Sequence, residues 1–374
     1  MSLLPSTVRA MTDRHRRRKA RLARRDAQRA RKRRVHAGSE PPPDDQQQDS
    51  TSVLSPWSFL VFTSKQVEAA KPDPLANFRA RQQDPFDFDY LVKSLVDDPT
   101  PPSASIVALF AELLDGELQR RCRDALNAYS GPLLPWATAS REVDVYRAVR
   151  LTHVLGDFDQ ILIGARLVDG QEATCAVLID HLDDFEIVDA ALFVATIDDA
   201  VEQLSTPDVT AAEMRLADAR AWVEYGLRHD FIIRDTATWP DCRPLVQWLV
   251  GRLPDGGDLY QSPIWGRDAS KALFDEFFES GAGAVFDSRD HRYLLQELTE
   301  SGTADPLRWS AARVERVLES PLSEGDHPLK VLLDVPELLR AFIPFAHKQS
   351  GIRDGLTAQT IAALDSRHVG ARSA

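Results

Sequence analysis

Cysteine and methionine are both scarce: three of each in 374 residues. Cys122, Cys175 and Cys242 are odd in number and far apart. That spacing excludes a disulfide framework and a zinc-binding quartet, and a reducing cytoplasm is the expected compartment. Long apolar runs are missing too. A membrane-spanning helix takes roughly 20 apolar residues, and the longest apolar cluster near the start is only Trp57–Phe62. The basic N-terminal stretch has no apolar segment behind it, so a secretory leader is not expected.

The familiar signatures of chemistry are also absent. There is no G-x-x-x-x-G-K-[ST] phosphate loop, no G-x-S-x-G nucleophile elbow and no H-E-x-x-H helix. Gly281 and Gly283 begin a dinucleotide-like pattern, but Phe286 stands where the third glycine belongs. The sequence names no cofactor and no catalytic residue.

What is present is a segregation of charge. The whole chain carries a net −12. Residues 1–34 hold fourteen of the 45 Lys+Arg against only Asp13 and Asp26, a local +12, so the remainder is at −24. Arg14, Arg16, Arg17, Arg18, Lys19, Arg21, Arg24, Arg25, Arg29, Arg31, Lys32, Arg33 and Arg34 crowd into twenty-one positions. Arg, Lys, Ala and Gln favour helix once charge is neutralised. Free in solution such a segment repels itself and stays disordered. Guanidinium groups suit phosphate, so RNA or DNA is the expected partner of residues 14–34. Docking of the arm on the acidic remainder is the competing expectation. A membrane-surface helix is not expected, because only Leu22 interrupts the charge with bulk. Residues 36–52, with Pro41, Pro42 and Pro43, read as a flexible linker.

The folded part centres on residues 143–204. Four runs alternate as strands, with Ile161, Ile163, Ala165 and Leu167 on one face and Leu162, Gly164 and Arg166 on the other. Asp169-Gly170 between the second and third runs predicts a two-residue type I′ hairpin. A helix over 197–204 closes the unit. Elsewhere the pattern is helical. The expected fold class is α+β, one small antiparallel sheet covered by helices, followed by a mostly helical C-terminal region. The expected divisions are 1–52 (arm and linker), 53–142 (irregular and helical lead-in), 143–256 (sheet plus helices) and 257–366 (helical). Trp57–Phe62 is expected as a strand or short staple. Thr206-Pro207 and the pair Thr210/Glu213 read as helix starts.

Four segments carry a resemblance: G-D-F-D-Q-I-L-I-G at 156–164, V-L-I-D-H at 177–181, D-P-L-R-W-S at 305–310 and P-E-L-L-R-A-F-I-P-F-A-H at 336–347. Across about 85–365 the chain resembles uncharacterised actinobacterial proteins. The resemblance implies a shared folded body and no particular chemistry, and the arm lies outside it.

One constellation remains. In an antiparallel meander the first and third turns fall at the same end of the sheet. Asp157 and Asp159 lie at the first, and Asp180 and His181 at the third, with Asp183 and Asp184 beyond. Carboxylates and an imidazole gathered there would suit a divalent cation or acid–base work, although Asp is also an ordinary turn former. The leading reading is a non-catalytic nucleic-acid-associated protein tethered by its arm. The alternatives are a protein-interaction or regulatory module working through its acidic body, and a metal-dependent enzyme using the sheet-end acids.

Overall fold

The structure is a computed structural model and describes residues 55–71, 88–182, 185–228, 236, 238–319 and 327–371. These belong to the unit Leu54–Ala374. The arginine-rich arm, Asp183, Asp184 and the His229-Asp230 pair lie outside the described residues.

The fold is α+β. Strands β1 (Val143–His153), β2 (Phe158–Leu167), β3 (Glu172–Asp180) and β4 (Glu186–Phe193) form an antiparallel meander. A fifth strand, β5 (Val209–Met214), pairs antiparallel with the free edge of β1, giving the order β4-β3-β2-β1-β5. This corrects the expectation of helix starts at 206 and 210. V-T-A-A-E-M has little strand signal of its own, and the unpaired edge of β1 supplies what local propensity does not. Glu213 does not cap a helix. It holds Arg147 of β1 in a forked ion pair, with both carboxylate oxygens 3.1 Å from Nε.

The β2–β3 connection is tight, but it is not type I′. The Gly170 N–H donates to the Leu167 carbonyl at 2.9 Å, and Gly170 has φ +85°. Asp169 stays out of the left-handed region, because its carboxylate accepts the Gln171 N–H at 3.0 Å and so closes a local turn of its own.

The sheet is buried on both faces. Ile161, Ile163 and Ala165 of β2, with Cys175 and Val177 of β3, face the main core. Leu162, Ala176, Val149 and Leu151 face the opposite way, under Ile197 and Ala200 of helix α6 (Ile197–Leu204). Among the described residues five helices precede the sheet: α1 (Pro56–Ala69), α2 (Phe88–Asp97), α3 (Pro101–Leu113), α4 (Gly116–Ala128) and α5 (Pro135–Ala139). The Trp57–Phe62 run is therefore helical, not a strand. Ser55 caps α1, Pro56 opens it, and Trp57 is fully buried with its indole N–H on the Gln171 carbonyl at 3.3 Å. Helices α7 (Leu216–Arg228) and α8 (Arg243–Val250) complete the first core through Trp222, Val223, Leu245 and Leu249.

A second core is mostly helical, with Trp309 entering it from the irregular stretch 301–310. It is built by α9 (Arg267–Glu279), α10 (Arg289–Glu300), α11 (Ala311–Glu319), α12 (Leu329–Leu333), α13 (Val335–Ser350) and α14 (Asp354–Ala371). Phe277, Leu294, Trp309, Leu338, Phe342 and Ile343 are its centre. Gly351 ends α13 at φ +69°. The last helix begins at Asp354, and the Thr357 hydroxyl in its first turn meets His347 Nδ1 at 2.9 Å. Among the described residues no helix is long and apolar enough to cross a membrane.

Candidate functional site

Register builds the site. Phe158 stands opposite Asp180, and Thr152 opposite Asp159, so the ends of three strands arrive together. Alternation then decides which side chains meet. Asp159 shares the face of Ile161 and Ile163, His181 continues the face of Val177 and Ile179, and Thr152 shares the face of Ala148. All three point into the main core.

There His181 Nε2 and Asp159 Oδ2 lie 2.9 Å apart, each side chain 3% exposed. The Thr152 hydroxyl donates to the other oxygen of Asp159. His181 Nδ1 is buried without a hydrogen-bond partner. Aromatic rings close the space around it. Tyr260 stacks on His181 at 4.2 Å between centroids and 15° between planes, Phe185 lies at 5.1 Å, and Trp222 approaches edge-on at 6.5 Å. Burial, and then the Asp159 charge, push the Tyr260 hydroxyl up to about 12.

Asp157 takes a different direction. It lies in the β1–β2 turn, hydrogen-bonded to Ser310 and beside the charge of Arg313. Burial dominates and pushes its carboxyl up to about 6, and its Oδ1 has no hydrogen-bond partner. Asp180 accepts the Leu182 N–H at 2.7 Å and closes its own turn. The four sequence candidates thus share one end of the sheet, as counting reversals implies; the side chains of Asp159 and His181 meet, and the His181 backbone N–H donates to the Asp157 carbonyl at 2.7 Å. Among the described residues no group of three or more His, Cys, Asp or Glu is arranged to hold a metal ion. The arrangement is a hydrogen-bonded chain, Thr152–Asp159–His181, that orients one imidazole.

Arg313 ties this end of the sheet to the second core. Its guanidinium is fully buried, lies 4.2 Å over the Trp309 ring, and donates to the carbonyls of Thr299 at 2.8 Å and Arg308 at 2.7 Å. It also donates to the Asp305 carbonyl at 2.5 Å and to the Thr303 hydroxyl at 3.3 Å. Desolvation pulls its pKa down to about 10. The sequence carried a signal for Arg313: it stands four residues before Val317 and so falls on the inward face of its helix. Thr152 had a weaker one, in the alternation of β1. Tyr260 had none, because its segment has no periodicity. Another imidazole, His291, is tied to Asp334 at 3.1 Å and to Ser288 at 2.8 Å. At the far end of the sheet a cavity of about 440 Å³ is lined by Arg141, Arg166 and Arg252 together with Glu142 and Asp144. Its mixed charge selects no ligand of one sign.

No family model matches this chain, and no curated protein or solved structure matches it.

Proposed function

We propose that this is a non-catalytic nucleic-acid-associated protein that grips RNA or DNA phosphate through residues 14–34. One observation carries the reading: fourteen basic residues against two acidic ones in the first thirty-four, ahead of a remainder at −24. The body is a poor competitor for phosphate. Arg147, Arg215, Arg292 and Arg340 each hold two carboxylates, and Arg353 grips Asp208 with two of its nitrogens. Cations so occupied offer little to a polyanion, and the field of the body repels it. The chain Thr152–Asp159–His181 sits sealed beneath aromatic rings, which suits orientation and packing better than turnover of a dissolved substrate.

The three cysteines are free and buried, which is consistent with a reducing cytoplasm as the place of action. The second reading, an acidic body that binds a basic protein partner, draws on the same −24. Purification of the full-length protein at low salt separates the two. Co-eluting nucleic acid, released by nuclease or by a high-salt wash, supports the first. A co-eluting protein that survives nuclease, with no nucleic acid present, supports the second and removes the first.

A further inference from the structure

The two edges of the sheet are finished differently. At β4 the ladder with β3 is irregular between Leu178 and Ile179, and the Asp189 carboxylate takes the hydroxyls of Thr236 and Thr238, each at 2.7 Å. At β5 the ladder with β1 runs without a break from Ala148 opposite Met214 to His153 opposite Val209. Among the described residues no strand pairs with the far side of β5. Thr210, Ala211, Ala212 and Glu213 are all exposed, so neither face of the strand's centre is covered. Edge strands are ordinarily guarded by Lys, Pro, a bulge or a covering element, because an open ladder invites a further strand. Val209–Met214 holds no Lys and no Pro, and its one charged side chain, Glu213, is drawn back over the sheet onto Arg147.

Alternation decides which backbone groups are free. The Val154 N–H donates to the Asp208 carbonyl at 2.8 Å, so Asp208, Thr210, Ala212 and Met214 turn their backbone groups toward β1. Val209, Ala211 and Glu213 turn theirs outward. The Val209 N–H is taken by the Thr206 carbonyl at 3.0 Å. Ala211 and Glu213 are each left with an open N–H and C=O, spaced as one repeat of an antiparallel ladder. Between them stands Ala212, with only a methyl group to obstruct an approaching chain.

We infer that β5 is a self-association edge, and that its partner is β5 of a second copy of this chain, antiparallel about a twofold axis beside Ala212. The row of free groups is its own complement in that register. Ala211 exchanges both of its bonds with the partner's Glu213, and the inverted pair repeats the exchange, so every open group on the two residues is satisfied. An unrelated peptide has to match the same spacing and bring no bulk, whereas a twofold supplies both by symmetry. Ala212 then faces its own symmetry mate as a non-hydrogen-bonded pair, where Cα atoms approach to about 4.5 Å. One antiparallel sheet runs through two bodies. The contact is short and adds little apolar area, so the dimer is weak and concentration-dependent. It carries two arms, so one nucleic acid is gripped at two points; that consequence rests on the reading above, and the pairing does not.

The test uses the full-length protein, nuclease-treated and kept in high salt, so that nucleic acid cannot hold copies together and the like charge of the bodies is screened. The native cysteines are buried and do not compete. A disulfide needs Cα atoms within about 7 Å, and Ala211 lies diagonal to its symmetry mate, about 7–8 Å away or more. Under mild oxidation with diamide, Ala212→Cys is therefore expected to give a disulfide-linked dimer about tenfold faster, or more, than Ala211→Cys. Sedimentation velocity of unoxidised wild type is expected to show a dimer that grows with concentration. Ala211→Pro removes the outward N–H and leaves every bond to β1 in place, so it is expected to melt near wild type and to stay monomeric. If that variant does not fold, the two cysteine variants still decide. Equal linking by the two, faster linking by Ala211→Cys, wild type that is monomeric at every concentration, or an Ala211→Pro variant that dimerises as wild type does, overturns the inference.

Discussion

Asp159 and His181 meet at 2.9 Å across the ends of adjacent strands, each with 3% of its side chain exposed, and Thr152 takes the remaining carboxylate oxygen. The three act as one unit. Removing a member leaves its partners' polar atoms buried and unpaired, at about 1–3 kcal/mol. Asp159→Ala is expected to lose that much in urea unfolding, and Thr152→Val about 1 kcal/mol. The double variant should lose less than the sum, because both changes strip the same network. Strict additivity would mean that Thr152 and Asp159 do not share a bond that matters.

Asp157 sets a pH dependence whose sign is fixed by its burial. The folded chain holds this proton up to about pH 6, against an ordinary value of 3.8. Between these values the folded state binds more protons than the unfolded state. The contribution of this group is therefore fully present below about pH 4 and is lost as pH rises through 6. The two-unit displacement corresponds to a loss of up to about 3 kcal/mol. Asp157→Asn should remove this dependence, so the variant gains on wild type from pH 4 to pH 7. Denaturation curves at the two pH values measure it, and a gain in the opposite direction would place a dominant Arg313 pairing above desolvation.

Arg313 holds the carbonyls of Thr299, Asp305 and Arg308 at once. Arg313→Leu is expected to cost about 3–5 kcal/mol, since it strands several buried acceptors. Arg313→Lys should recover little of it. An ammonium is a point charge and cannot replace a planar fork that serves separate carbonyls while lying flat on Trp309. Thermal unfolding compares them directly, and full rescue by lysine would show that charge alone, not shape, is what this position needs.

Gly170 turns the central hairpin at φ +85° with open space where a Cβ would stand. Gly170→Ala meets no clash, so its expected loss of about 1–2 kcal/mol is conformational. Gly170→Asn should lose less, because asparagine tolerates this region. A melting series of the three residues reads the order, and an alanine variant as stable as wild type would contradict it.

The meander was legible because each of its strands alternates and each turn carries Asp or Gly. The same pattern, with a count of chain reversals, was enough to bring Asp157, Asp159, Asp180 and His181 to one end. It could not say which of them touch, since that depends on turn geometry: Asp180 closes its own turn and Asp157 leans toward Ser310. β5 was hidden because its pairing energy belongs to the edge of β1 and not to V-T-A-A-E-M. The run Trp57–Phe62 is apolar on every side and fits either period; Ser55-Pro56 was the cap that marked a helix. Tyr260 was beyond reach of pattern, because it acts through one ring on an irregular strap.

The claim that the arm holds nucleic acid is tested most directly by the salt dependence of full-length binding. Fluorescence anisotropy with a labelled RNA and a labelled DNA duplex, at 50 and 200 mM salt, is read for wild type and for a variant with Arg14, Arg16, Arg17, Arg18, Arg21, Arg24 and Arg25 changed to glutamine. With about six to ten phosphate contacts, wild-type affinity should fall about a thousandfold or more over that range, without base preference. The glutamine variant should bind far more weakly at 50 mM, and its salt slope should be much shallower. Equal affinity and equal slope in the two proteins would place the site in the folded body and contradict the account.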